Sequence, residues 1–313
     1  VKKTAFIFPG QGSQEVGMGK AMYDFYPSVK KMFDDADDVL GYSLTTLMFE
    51  GPQEELTKTE NAQPALLLNS VAINHVLKEE GINPSMTAGH SLGEYSALVA
   101  SGSLDPMEAV QLVHTRGKLM EEAYPTGKGS MAAVLGLSQE EIEKVLEGFN
   151  DEEPVDLANI NCPGQIVISG TKDGVAQASE QLSEAGAKRV LPLNVSGPFH
   201  SRLMKPASDD FADYLSKNSI SAASVPVYAN VTAGPVTEAD EIEKLLVKQL
   251  YSPVRFQQIL EAFVEEDVDA IVEIGHGKVL SGLVRKVKRR MKTFNVQDPE
   301  TVEQFTQWYK EDS

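Results

Sequence analysis

The hydrophobic pattern opens with a compact run, Thr4-Ala5-Phe6-Ile7-Phe8, halted by Pro9-Gly10. A run of that length with proline and glycine at its end predicts a buried strand. Stretches of helical periodicity follow, and 61–80 reads as one long helix. Pro64 falls in its first turn, where a missing N–H is tolerated, and Gly81 stops it. Ser85-Met86-Thr87-Ala88, bounded by Pro84, is a second short strand, and a helix runs from Glu94 to about Ala100. Asp105-Pro106-Met107-Glu108 marks another helix start, with a capping acid, proline at the first position and a second acid three residues on.

From about residue 127 the rhythm changes. Strands at 130–135, 155–160, 165–169 and 189–195 enclose helices at 138–149 and 172–185, with Cys162-Pro163-Gly164 turning between the middle strands. That order, β-α-β-β-α-β, is the ferredoxin-like unit. The earlier rhythm then returns, with helices at 201–217, 238–250 and 257–266 and strands at 225–230 and 270–274. Leu280, Leu283, Val284, Val287 and Met291 interleave with Arg285, Lys286, Lys288, Arg289, Arg290 and Lys292, which predicts an amphipathic helix with a cationic outer face. Asp298-Pro299 caps a last short helix reaching Tyr309. The expected fold class is α/β, in two parts. A hydrolase-like, parallel-sheet large domain takes 1–126 and 197–313, and a ferredoxin-like (βαββαβ) small domain is inserted at 127–196.

Charge and composition narrow the partners. A formal net charge of −18 argues against nucleic acid or an anionic membrane as a general partner. No apolar run approaches the roughly 20 residues that span a bilayer. The single cysteine, Cys162, cannot form an intramolecular disulfide, which fits a reducing, cytoplasmic setting. The basic run at 285–292 stands out against the acidic background, either as a solvated face or as a docking patch for an anionic partner.

The chemistry centres on Gly89-His90-Ser91-Leu92-Gly93, a G-x-S-x-G set between a strand and a helix. That context defines a nucleophile elbow, which lifts the serine hydroxyl to the sheet edge. The backbone N–H of Leu92 and the helix N-terminus then point at any oxyanion formed there. Gly10-Gln11-Gly12-Ser13-Gln14-Glu15 lacks the third glycine of a dinucleotide fingerprint, and Gly19-Lys20 is followed by Ala21 where a Walker loop needs Ser or Thr. What the first turn offers instead is backbone N–H groups free of bulky side chains. Of the five histidines, His75 and His114 lie mid-helix and His90 adjoins the serine, whereas His200 and His276 occupy strand-to-helix connections. Position favours His200, because its turn joins the insert to the large domain. Arg116 falls on the buried stripe of Ala109, Leu112, Val113 and Met120, so it must find several acceptors or an anion, either a structural acid or a substrate carboxylate.

Taken together, these residues resemble the malonyl-CoA:acyl carrier protein transacylases of fatty acid synthesis. The likeness runs through Phe8-Pro9-Gly10-Gln11-Gly12, Gly89-His90-Ser91-Leu92-Gly93-Glu94, Arg116, Gly197-Pro198-Phe199-His200-Ser201 and Gln249-Leu250-Tyr251-Ser252-Pro253-Val254. The resemblance implies Ser91 as nucleophile, His200 as base, and the N–H groups of Gln11 and Leu92 as the oxyanion hole. It also implies that Arg116 clamps the malonyl carboxylate, that the backbone carbonyl of Gln249 orients His200, and that Phe199 belongs to a malonyl-selective pattern. His276 belongs to the resemblance too, in a structural role. The implied activity is ping-pong malonyl transfer from malonyl-CoA, a substrate, to acyl carrier protein, with no bound cofactor and no metal. Acyl carrier protein and a coenzyme A thioester are the implied partners, and a monomer is the expected state. The basic residues at 285–292 are the candidate docking face for the carrier. A serine esterase or thioesterase built on the same elbow, or an inactive carrier-binding scaffold, are the alternatives.

Overall fold

A computed structural model of the chain describes residues 1–195 and 197–311. Ser196, the last residue of the expected insert, and the terminal Asp312-Ser313 lie outside the described residues. In chain order the strands are β1 (Thr4–Phe8), β2 (Met86–Gly89), β3 (Gly129–Leu135), β4 (Val155–Cys162) and β5 (Gln165–Thr171). They continue with β6 (Arg189–Pro192), β7 (Val227–Tyr228), β8 (Pro235–Val236), β9 (Ala270–Ile274) and β10 (Thr293–Val296).

One sheet has six strands in the order β10-β9-β1-β2-β7-β8, parallel except for the β7–β8 pair. Every residue of β1, β2 and β9 is buried, as a parallel sheet covered on both faces requires. Successive side chains go to opposite faces. Phe6 and Phe8 join one core, with the helices Thr59–Glu79 and Pro106–Glu122, while Ala5 and Ile7 join another with Phe256, Ile259 and Leu283. Because β9, β1 and β2 are adjacent and parallel, the glycine turns after them, at 275–277, 10–12 and 89–93, lie side by side at one edge. Ligands of open α/β sheets bind outside that carboxyl edge.

The second sheet is antiparallel, in the order β4-β5-β3-β6, with the helices Gln139–Leu146 and Lys172–Glu184 completing the ferredoxin-like order. Its own core gathers Val134, Ile142, Ile168 and Leu182. The edge strand β4 is also tied to the larger body. Ile160 donates its N–H to the Val254 carbonyl at 2.8 Å, and Val254 donates back to Ala158 at 2.7 Å. This caps an edge that would otherwise expose unpaired backbone groups.

The basic run departs from the sequence reading. The helix there is Val279–Val287, and Lys288 already has extended backbone, so 288–292 form a turn into β10. Continuing the helix would have stacked Arg285 on Arg289 and Lys286 on Arg290, like charges at i,i+4 that destabilise it. The Lys292 carbonyl accepts from the Ile271 N–H at 3.0 Å, which fixes this turn at the amino-terminal edge of the sheet. Two further differences have local causes. The expected helix at 201–217 splits into a 3-10 segment, Arg202–Ala207, and the helix Ser208–Leu215, with Pro206 unable to donate an α-helical bond. The strand at 225–230 shrinks to β7, since Pro226 has no N–H for the ladder. No helix among the described residues is long and apolar enough to cross a membrane.

Candidate active site

The elbow explains its own glycines. A Cβ on Gly89 would lie 1.9 Å from the Gly93 carbonyl, and one on Gly93 would lie 2.0 Å from the Phe8 oxygen. Side chains at either position are sterically excluded. Between them Ser91 has φ of 53°, a left-handed conformation that costs roughly 1–2 kcal/mol for a non-glycine residue. Three hydrogen bonds hold the strained turn. Ser91 N–H donates to Asn230 Oδ1 at 2.8 Å, Asn230 Nδ2 donates to the Gly89 carbonyl at 2.7 Å, and Gln249 Nε2 donates to the Ser91 carbonyl at 2.9 Å.

His200 is the second strained residue, with φ of 60°. Its Nδ1 lies 2.9 Å from the Gln249 backbone oxygen and its Nε2 lies 2.8 Å from Ser91 Oγ. A carbonyl can only accept, so the proton sits on Nδ1 and Nε2 is left as acceptor for the serine hydroxyl. The ring is only 4% exposed, and burial, helped by the Arg116 charge, pushes its pKa down to about 3. The imidazole is therefore neutral at working pH, with Nε2 free to accept a hydrogen bond from the serine hydroxyl. The other histidines are engaged elsewhere. His90 Nε2 meets Asn161 Oδ1 at 2.7 Å, His114 Nδ1 meets the Glu60 carbonyl at 2.8 Å, and His276 Nε2 lies 3.7 Å from Glu15.

Arg116 is 1% exposed, on the helix Pro106–Glu122 capped by Asp105. Of the partners the sequence left open, its hydrogen bonds show neutral acceptors and no structural acid among the described residues. Nη1 donates to Gln63 Oε1 and Nη2 to Gln249 Oε1, both at 2.8 Å, and Nη2 also reaches Ser91 Oγ at 3.5 Å. The guanidinium lies over the Tyr95 ring, 5.1 Å from its centroid. Its direct partners are thus neutral, and no carboxylate pairs with it among the described residues. A buried cation held only by neutral dipoles can still take up an anion.

Beneath these groups lies a network that the sequence signalled only in part. Glu94, 3% exposed, accepts from the Asn230 N–H at 2.8 Å and from Gln249 Nε2 at 3.3 Å. Burial outweighs these bonds and raises its pKa to about 7. Gln249 thus touches the nucleophile turn, the histidine and the arginine at once. Neither periodicity nor a spacing rule marks Asn230, Gln63 or Asn161, which act only through long-range proximity. Glu94 does follow the motif directly, so its position was visible although its burial was not.

A cavity of about 450 Å³ is lined by Ser91, His200, Gln11, Phe199, Met120 and Met131, with Asn159 and Leu193 also contributing from the smaller sheet and its exit. The N–H groups of Gln11 and Leu92 find no acceptor among the described residues. A second hollow of about 680 Å³ shares Gln11, Gln53, Thr57, Asn194 and Val195 with it, so the two adjoin. Gln249 does not line the first cavity and is fully buried. The basic residues at 285–292 do not line either space.

Comparison with known proteins bears on this arrangement. The family model of the acyl transferase domain matches residues 5–310. A malonyl CoA-acyl carrier protein transacylase of Bacillus subtilis is 54% identical over 314 residues, covering 100% of this chain and 99% of the relative. An acyl carrier protein S-malonyltransferase from Vibrio cholerae superposes with a TM-score of 0.94 at 44% identity, over 97% of this chain and 99% of the other. A malonyl-transacylase solved in complex with a type II PKS acyl-carrier protein superposes with a TM-score of 0.95 at 43% identity, over 97% and 99% of the two chains.

Proposed function

The chain belongs to the acyl transferase family, and from that premise we propose that it moves a malonyl group from malonyl-CoA to the phosphopantetheine thiol of acyl carrier protein. The observation that carries the choice of acyl group is Arg116, a buried cation with neutral partners whose Nη2 lies 3.5 Å from Ser91 Oγ. An acyl chain on Ser91 that ends in a carboxylate meets the guanidinium, whereas an acetyl group leaves it unpaired.

In the first half-reaction Ser91 Oγ attacks the thioester carbonyl as His200 Nε2 takes its proton. The oxyanion rests on the N–H groups of Gln11 and Leu92. Losing one such donor typically slows a reaction roughly a hundred- to a thousandfold. The C–S bond breaks, His200 returns the proton to the departing coenzyme A thiolate, and a malonyl-Ser91 ester remains. In the second half the carrier thiol gives its proton to His200 and attacks the ester, and Ser91 regains its proton. His200 is held by the Gln249 carbonyl, and Phe199 stands beside it as a selectivity residue. All this chemistry is assigned to side chains and backbone groups of the chain, with malonyl-CoA as substrate. We take residues 127–196 as the inserted domain, place the reaction in the cytoplasm and read the chain as a monomer.

For the carrier we propose docking on the basic run, narrowed to Arg285 and Lys286. Lys286 is near enough to Cys162 for its charge to act on that thiol, and Cys162 follows Asn161, the partner of His90. Lys288, Arg289, Arg290 and Lys292 ride the turn at the far edge and are left out.

The test is intact-protein mass after brief exposure to malonyl-CoA, with acetyl-CoA, Ser91→Ala and Arg116→Ala in parallel. A malonyl adduct on the unmodified chain, absent from Ser91→Ala and discharged by carrier protein, is the expected result. Coenzyme A release without an adduct would favour the hydrolase reading instead. Retention of malonyl preference by Arg116→Ala would remove the clamp.

A further inference from the structure

The site contains one buried carboxylate that the reaction above does not use. Glu94 does not line the catalytic cavity, yet it sits one amide away from the group that selects the substrate. Arg116 Nη2 donates to Gln249 Oε1 at 2.8 Å, and the other end of the same amide, Nε2, donates to Glu94 Oε1 at 3.3 Å. The amide keeps the opposite charges apart while passing the polarity of one to the other. All three residues are at most 3% exposed, so little water screens them.

We propose that Glu94 is a positioning residue that acts through Gln249 and Arg116, its carboxylate weakening the guanidinium's hold on the acyl carboxylate so that the malonyl group is released as well as captured. The inference rests on Arg116 being the carboxylate clamp. A clamp without a counter-charge binds the incoming thioester, the acyl-enzyme and the product alike. Such uniform binding lowers KM without helping the chemical step, and it retains the product. Direct pairing of an acid with Arg116 would do the opposite and shut the substrate out. A carboxylate held one amide away stands between these extremes.

The sign of the effect separates this role from a structural one. Glu94→Gln keeps an acceptor for the Asn230 N–H and removes the charge. At about pH 8, above the Glu94 value of about 7, the variant should show a KM for malonyl-CoA lowered about three- to tenfold, with a reduced kcat. Acylation by acetyl-CoA, which carries no carboxylate, should keep its KM, and Glu94→Asp should return the malonyl-CoA value toward that of the unmodified chain. Glu94→Met is read in the same way and serves if the amide variant does not fold. In an Arg116→Ala background the Glu94 substitutions should no longer move KM for malonyl-CoA. A KM that stays put, or rises for both thioesters, overturns the inference and leaves Glu94 a structural support. If Arg116→Ala itself keeps the malonyl preference, the clamp reading falls, and this inference with it.

Discussion

At the scale of single residues, the candidate site was legible wherever a motif or a periodicity marked a position. Ser91 stood out because glycine flanked it on both sides, and those glycines meet backbone atoms within 2.0 Å once a Cβ is added. Arg116 stood out because a cation fell on an apolar stripe. Asn230 could not be seen, since its partners Ser91 and Gly89 are remote in sequence. His200 shows what burial adds. Its folded pKa of about 3 lies below the ordinary 6.5, so between those values the unfolded chain binds a proton that the folded chain refuses. Its contribution is therefore present above pH 6.5 and is lost as pH falls from there toward 3. Glu94 works in the opposite direction, with a folded value near 7 above its ordinary 4.5, so its contribution fades as pH rises through that window. Comparing urea unfolding of the unmodified chain with His200→Asn isolates the histidine, and asparagine tolerates the left-handed backbone. The loss of stability from about pH 7 to 5 should be about 2 kcal/mol smaller in the variant. Equal losses would mean that His200 is protonated in the folded protein.

At the scale of elements, most boundaries followed from local signals, and the failures have physical causes. Ser138 and Asp298 cap their helices with full capping boxes, and Asp105 accepts from Met107 N–H and Glu108 N–H at 3.0 and 3.1 Å. The strand β10 was hidden, because the apolar residues before it happened to match a helical period that charge repulsion does not allow to form. Likewise β8 has only two residues, too few to show any alternation. The helix carrying Arg116 depends on its cap for stability, whereas the guanidinium is aimed by Gln63 and Gln249. Asp105→Ala should accordingly cost about 1 kcal/mol in denaturant unfolding. The KM for malonyl-CoA should stay the same in the same sample. A rise in KM would show that the cap, and not the amides, sets the position of the arginine.

At the scale of the whole molecule, two sheets close over one cavity, and the net charge of −18 governs what approaches it. Any acidic partner is repelled by most of this surface, so a small cationic area weighs heavily in where such a partner can approach. Reversing Arg285 and Lys286 together should raise the KM for carrier protein and leave acylation by malonyl-CoA nearly unchanged. Equal effects on both half-reactions would remove that face from consideration. Water is the other molecule to be controlled, because a malonyl-serine ester that meets water before the thiol is wasted. The seam between the two bodies is held by the paired backbone of Val254 with β4 and, next to Ser91, by His90 Nε2 and Asn161 Oδ1 at 2.7 Å. Asn161→Leu leaves the imidazole without its partner at a cost of roughly 1–3 kcal/mol, part of which should emerge as opening of the seam. With carrier protein absent, the malonyl adduct should then decay several-fold faster by mass while forming at much the same rate. If its lifetime is unchanged, the seam is not what keeps water out, and protection of the ester must come from the cavity wall around Phe199 and Met120.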